Sequence, residues 1–346
     1  METLMLLTLA TLFMVVFVWG FRQLPGEKWQ ILAAVPLHKG ETGSWQGLNL
    51  TYYGLFVSAA YVMAVAVLLV LLGSIGVPVA GTAALVLLIL AAATPAARLV
   101  ARIVEKKQHT FSVGGASFIG MLLAPGLILL VDRTLGAWGG FELPVAATLA
   151  AMLIAYAFGE GFGRLACISF GCCYGKPLHL LPPFWQRLLR PITFTFSGAT
   201  KKIAYAGRLE GEPVLPVQAM TCLLNTGAGL AGTVLFLQGR YRGALLLTLT
   251  ASQLWRLASE FLRADYRGGG RLSAYQWMSL AAVCYLGAVA VLLPEVPPLT
   301  PHLHSGFLSL WQPGMILLLQ ALWSAIFLYT GRSTVTGSRL TFHVRA

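Results

Sequence analysis

The chain has 346 residues, 57% hydrophobic and only 10% charged, with a mean hydropathy of +0.76. Soluble domains carry about 25% charged residues, so a soluble globule, a disordered chain, collagen and a coiled coil are excluded. A helical integral membrane protein remains. Lys and Arg outnumber Asp and Glu by 24 to 12, a net charge of +12. In a membrane protein that excess points to anionic headgroups well before nucleic acid.

A bilayer crossing needs about 20 predominantly apolar residues. The first such run is Thr3–Phe21. Glu2 precedes it, no basic residue does, and no small-x-small cleavage site follows, so it reads as a retained helix rather than a signal peptide. Eight more runs follow: Tyr52–Leu72, Val79–Ala97, Ser112–Val131, Pro144–Gly161, Ala219–Leu237, Gly243–Leu262, Tyr275–Leu293 and Gly314–Thr330. The expectation is nine membrane helices, because backbone groups in lipid must pair within their own segment. The fifth is short and ends in glycines, which predicts that it stops at mid-depth. The long connections are Arg22–Thr51 and Phe162–Gln218. The second holds six prolines and is expected to form a small extramembrane unit of turns and short helices. The chain shows no repeat and no low-complexity tract.

Basic residues are unevenly placed. With sides alternating through nine helices, one side receives 20 of the 24, including Arg22, Arg102, Lys106, Lys107, Arg208, Arg267, Arg271 and Arg345. The other receives Arg133, Arg240 and Arg242, and Arg256 lies within a helix. The positive-inside rule makes the rich side cytoplasmic. A surface that holds anionic lipid gives the same bias.

Four groups of residues carry candidate chemistry. Arg256, Glu260 and Arg263 stand at i, i+4 and i+7, one stripe of a helix. An arginine at mid-membrane costs at least ~2.5–3.5 kcal/mol. Its fork of donors suits phosphate or carboxylate, with Glu260 to orient it; a structural Arg–Glu pair is the plainer alternative. Gly159 to Pro177 packs glycines around Arg164 and Lys176, either as a backbone cradle for an anion or as simple turns. Gly114 to Gly120 opens the fourth helix, for close helix packing or for donors at a helix N-terminus. Tyr52-Tyr53-Gly54 begins the second helix at the depth of interface anchors. Five cysteines, Cys167, Cys172, Cys173, Cys222 and Cys284, give no disulfide framework. Cys167, Cys172 and Cys173 lack the paired CxxC spacing of a zinc site and read first as packing or redox-sensitive thiols.

Together and in this order these groups resemble the prolipoprotein diacylglyceryl transferase family, over roughly Leu50 to Leu293. Tyr52-Tyr53-Gly54-Leu55 resembles the family's aromatic-Tyr-Gly-Leu opening. Gly114-Gly115-Ala116-Ser117-Phe118-Ile119-Gly120 resembles its Gly-Gly-x-Ser-Phe-His-Gly motif. Gly163-Arg164 through Gly175 resembles its Gly-Arg-x-Gly-Asn-Phe signature, and Pro216-Val217-Gln218 its Pro-Ser-Gln. Arg256, Glu260 and Arg263 fall on its Arg-x3-Glu-x2-Arg helix, followed by Asp265, Arg267-Gly268, Leu272-Ser273 and Gln276. The sequence departs from the pattern at several positions. Ile119 stands for the family histidine, Cys167 for asparagine, Cys172 for an acidic residue, Leu215 for histidine, and Met220-Thr221 for Tyr-Glu. His109 lies ten residues before Ile119.

The resemblance implies an all-α polytopic membrane bundle, a seven-helix core with extra N- and C-terminal helices. The domain limits are 1–47 for the N-terminal helix and loop, 48–293 for the core with loop 162–218, and 294–346 for the C-terminal helix and tail. It implies transfer of diacylglyceryl from phosphatidylglycerol to the lipobox cysteine of a preprolipoprotein, releasing glycerol 1-phosphate, in the bacterial cytoplasmic membrane. The implied catalytic residues are Arg164, Arg256 and Tyr53. Gly114, Gly115, Gly163, Gly175, Gln218, Glu260 and Arg263 position the substrate. The partners are phosphatidylglycerol and other membrane lipid and the lipobox segment, with no nucleic acid. Neither a metal nor an organic cofactor is implied. The site would open to the outer leaflet, on the basic side, against the positive-inside rule. A related phospholipid-headgroup transferase with another acceptor, or a degenerate member that only binds anionic lipid, would share these features.

Overall fold

The computed structural model describes residues 2–40, 43–105, 113–265, 272–293 and 299–343. Lys106, Lys107, His109, Ser112, Arg267, Gly268, Arg271 and Arg345 lie outside them. The long helices are α1 (Glu2–Gln23), α2 (Tyr52–Ser74), α3 (Val79–Glu105), α4 (Val113–Val131), α5 (Val145–Phe170), α6 (Val217–Leu237), α7 (Tyr241–Leu262) and α8 (Ala274–Leu292). A short α9 (Leu303–Leu310) and a long α10 (Pro313–Thr330) follow. This is an all-α polytopic bundle, as expected. Among the described residues eight helices are long and apolar enough to cross a membrane. The ninth expected span, α7, has 22 residues, about 33 Å at 1.5 Å per residue. It has the length but not the apolarity, because Arg242, Gln253, Arg256 and Glu260 interrupt it. It packs between α5, α6 and α8, so protein rather than lipid meets its polar positions.

The fifth helix corrects the sequence reading. It does not stop at Gly161 but runs 26 residues to Phe170. Its glycines are contact points. A Cβ on Gly161 would stand 2.6 Å from Thr226 Oγ1 of α6, and one on Gly159 3.1 Å from Ala64 Cβ of α2. Small residues let helices approach closely where lipid gives no hydrophobic drive between them. The helix ends where glycine permits a left-handed residue. Gly171 takes φ 70, and the Cys172 N–H returns to the Cys167 carbonyl at 3.0 Å, a Schellman closure.

The connection 22–51 is not a simple loop. β1 (Ile31–Lys39) and β2 (Trp45–Thr51) form an antiparallel hairpin, and β2 pairs on its other edge with β5 (Arg332–Leu340). The N- and C-terminal segments thus meet in one small sheet. Residues 171–216 hold short helices and the two-stranded pair β3 (Phe194–Thr195) and β4 (Pro213–Val214), as the prolines predicted. Lys201 anchors this unit. It is fully buried and donates to the Leu24 carbonyl at 3.1 Å and the Ser169 carbonyl at 2.6 Å.

Candidate active site

The helix periods of α5, α6 and α7 bring polar side chains to one place inside the bundle. Tyr156, Glu160 and Arg164 stand at i, i+4 and i+8 on α5. Thr221 and Asn225 face them from α6, and Ser252, Trp255, Arg256 and Ser259 from α7. These nine residues line one small polar cavity.

Glu160 and Arg164 form an ion pair within one helix turn. Arg256 Nη1 donates to the Tyr156 hydroxyl at 3.1 Å. Among the described residues no carboxylate lies at ion-pair distance from Arg256. The cavity therefore holds two guanidinium groups and one carboxylate, a local charge of +1. Trp255 Nε1 donates to Thr221 Oγ1 at 2.9 Å. Arg164 Nε and Asn225 Oδ1 are buried and have no hydrogen-bond partner among the described residues. Buried polar groups are normally paired, so an orphaned donor on a buried guanidinium marks a place for an acceptor.

A second cluster rims this cavity. Arg263 lies one residue past α7, in extended conformation, so the expected helical stripe ends at Glu260. The turn lets Arg263 clasp Asp265 bidentately, Nε–Oδ1 and Nη2–Oδ2 both 2.7 Å, with Glu260 at 3.5 Å. Burial would lower its pKa, but the neighbouring thiol and carboxylates raise it. Glu260 accepts from Ser273 at 3.3 Å. It serves Arg263 and Ser273 rather than bonding to Arg256. Ser273 and Gln276 form a capping box on α8, and Gln276 Nε2 donates to the Leu257 carbonyl at 2.9 Å. That part of the sequence pattern has a positioning role that its spacing alone did not reveal.

The other expected site residues are spread around this centre. A Cβ on Gly114 would stand 2.5 Å from Arg256 Nη2 and 2.8 Å from the Tyr275 ring, so the bare backbone makes room for the guanidinium. Gly115 abuts Val100 of α3 instead. Gly163 is helical and faces Ala60, so its N–H is not part of a loop cradle. Gly175 lies in a bridge to Arg263, and a Cβ there would come within 2.4 Å of the Leu215 carbonyl. Gln218 Nε2 donates to the Cys172 carbonyl at 2.8 Å, and its Oε1 is buried without a partner among the described residues. Tyr53 packs edge-on against Phe170, 5.7 Å between rings, and lies near Cys167, Cys172 and Cys173. Hydrogen bonds from the other two thiols hold Cys173 well below the usual thiol range, with Arg263 and Arg164 adding to the effect.

The sequence pattern does not mark Tyr156, Glu160, Thr221, Asn225, Ser252, Trp255 or Ser259 as site residues. The signal was present: Tyr156, Glu160 and Arg164 form an i, i+4, i+8 stripe that becomes visible once the helix is extended through its glycines.

The family model of prolipoprotein diacylglyceryl transferase matches residues 43–293. The chain belongs to this family. The match takes in β2, the helices α2 to α8 and the whole of the cavity. The family acts in lipoprotein biosynthesis on lipid and prolipoprotein substrates, which makes this protein a transferase relative, and its apolar helices make it a multi-pass membrane protein. No curated protein and no solved structure gives a match.

Proposed function

We propose that this protein moves the diacylglyceryl group of phosphatidylglycerol to the lipobox cysteine thiol of preprolipoproteins in the bacterial cytoplasmic membrane, releasing glycerol 1-phosphate. The observation that carries the proposal is the convergence of Arg164 and Arg256 on one buried cavity with a single carboxylate. A phosphodiester has one negative charge, which matches the local +1. Arg164 Nε and the free edge of the Arg256 fork offer donors to its oxygens. Attack of sulfur on the terminal glyceryl carbon breaks the C–O bond and puts a second negative charge on the departing phosphate. Donors aimed at charge that develops during reaction typically contribute 10²–10³-fold each. Tyr156 holds Arg256, Glu160 holds Arg164, and Gly114 leaves the space in which Arg256 lies. Tyr53, Gln218, Glu260 and Arg263 would order the rim through which lipid and thiol enter.

A second reading keeps donor and cavity but changes the acceptor. Ile119 supports it, because isoleucine cannot take a proton from a thiol. Purified protein incubated with phosphatidylglycerol and a lipobox peptide tests both. Release of glycerol 1-phosphate with a lipidated peptide supports the first reading. Phosphatidylglycerol consumed without peptide labelling favours the second. No turnover, in vitro or in cells depleted of their own transferase, sinks both.

A further inference from the structure

Three thiols beside the cavity have no role in that reaction as written. Cys167, Cys172 and Cys173 are unpaired and half-buried, and their sulfur atoms all lie within 4.8 Å of one another. The chain is folded to bring them together. Left-handed Gly171 sends Cys172 back over the last turn of α5. Cys173 then takes φ 56, one of two left-handed non-glycine residues among those described. Such a conformation is costly and persists only where surroundings enforce it. Here Gln218 bonds the Cys172 carbonyl at 2.8 Å, the Ala264 N–H bonds the Tyr174 carbonyl at 3.1 Å, and the Lys176 N–H bonds the Leu262 carbonyl at 2.9 Å. The sulfur cluster is therefore pre-formed and clamped from α6 and from the end of α7.

Thiolate ligands select soft ions such as zinc. With Zn–S of about 2.3 Å, sulfurs at three corners of a tetrahedron stand roughly 3.8 Å apart, so closure needs a contraction of about 1 Å or less. Three thiolates around a divalent ion leave a charge of −1. Arg164, whose Nη1 is 3.9 Å from Cys167 Sγ, and Arg263, within electrostatic reach of Cys173, are cations placed beside it, each also paired to a carboxylate. Three protein ligands with a vacant fourth position is the pattern of catalytic rather than structural zinc.

We propose that Cys167, Cys172 and Cys173 bind a thiophilic divalent ion of the zinc class, whose fourth position takes the acceptor thiol beside the Arg164–Arg256 cavity. The second half of this proposal rests on the transferase reading. It supplies what Ile119 cannot, because a thiol that coordinates such an ion is deprotonated outright. The S–H proton passes to solvent on coordination. The sulfur lone pair forms the C–S bond to the terminal glyceryl carbon, and the C–O bond breaks. Its electron pair leaves on glycerol 1-phosphate, and the neutral thioether is released from the ion.

The test uses the full chain, reduced and in detergent. Zinc content is measured, and the stripped protein is titrated with Co²⁺, read by its thiolate-to-cobalt absorption. One equivalent is expected to bind. Cys167→Ser, Cys172→Ser and Cys173→Ser should each weaken binding at least tenfold and lower the charge-transfer band, while exposed Cys284→Ser leaves both unchanged. A lipobox peptide should shift the cobalt spectrum, and its Cys→Ser analogue should not. Stoichiometric binding that survives in the triple serine variant, no binding at all, or a disulfide among the three in the purified protein overturns the site. Transfer at full rate by metal-free protein overturns the thiol-activating role and leaves the transferase reading standing. Cysteine-dependent cobalt binding with a peptide-induced shift but no phosphatidylglycerol consumed supports the metal–thiol site and refutes the transferase reading instead.

Discussion

Arg256 is the residue on which the cavity depends most. Its hydrogen-bond partner is a neutral hydroxyl, Gly114 and the Tyr275 ring confine its guanidinium, and Glu160 and Glu260 act on it only across space, so its fork keeps donors for a ligand. Lysine in its place keeps the charge but loses the planar fork. Arg256→Lys is expected to lower phosphatidylglycerol turnover by roughly 10- to 100-fold, the loss of one charge-assisted hydrogen bond of ~1.5–3 kcal/mol. Tyr156→Phe removes only the neutral partner and should cost about tenfold or less. Equal turnover in wild type and Arg256→Lys would make the arginine structural. Lys201 makes a different prediction, on stability. Burial pushes its amine down from 10.5 to about 8, with Glu27 partly opposing. Between those values the unfolded chain binds more protons than the folded one, so stability rises with pH across that window; below about 8 both states are charged and the cost is paid in full. The slope is at most ~1.4 kcal/mol per pH unit. The melting temperature in detergent should climb from pH 8 to 9.5 and flatten in Lys201→Met; an unchanged slope in the variant would assign the effect elsewhere.

At the level of elements, the apolar runs were legible because lipid forces each into a helix, and all nine fall on helices of the structure. The end of α5 was not legible. Each of Gly159, Gly161 and Gly163 costs about 1 kcal/mol against alanine in an isolated helix, so the string reads as a breaker, and only the neighbouring helices reveal its use. The same misreading hid the Tyr156–Glu160–Arg164 stripe. Arg164 and Arg256 were legible as charges out of place in an apolar chain; that Asn225 and Thr221 share their cavity depends on how α6 packs against α5. The thiol cluster was hidden for another reason. Its spacing fits no metal motif, and its sulfurs converge only through the left-handed turns at Gly171 and Cys173. Two glycines separate propensity from packing. Gly161→Ala puts a Cβ 2.6 Å from Thr226 Oγ1 and 3.2 Å from the Cys222 carbonyl, an overpacking expected to cost ~1–3 kcal/mol. Gly227→Ala, in α6 with nothing within 4 Å, should stabilise by up to ~1 kcal/mol. Thermal melts of both variants check this; a gain at Gly161 would mean that α5 and α6 are not in close contact there.

Across the whole molecule, contacts at the helix ends sort the connections into two faces. β2 pairs with β5, Trp45 with Leu340 and Gln46 with Arg339, so the segment before α2 and the tail after α10 share a face. The bridge between Gly175 and Arg263 joins the end of α5 to the end of α7. On the opposite face the His302 N–H bonds the Ser74 carbonyl at 2.7 Å, the Tyr241 hydroxyl bonds the Leu299 carbonyl at 2.7 Å, and Arg242 reaches the Leu293 carbonyl. This is the alternation of nine crossings, and it makes α7 a crossing helix despite its polarity. Arg164, Arg263 and the three thiols sit toward the face to which the alternation of the sequence assigns 20 of the 24 basic residues. By the positive-inside rule that face is cytoplasmic, whereas transfer to exported lipobox proteins needs it outside, with the charge held there for lipid headgroups. Reporter fusions decide between the two. A fluorescent protein that folds only in the cytoplasm should be dark when fused after residue 346 and bright when fused after residue 239. The reverse pattern would turn the cavity toward the cytoplasm, where lipobox thiols awaiting modification on the outer face cannot reach it, and the acceptor would then have to be a cytoplasmic one.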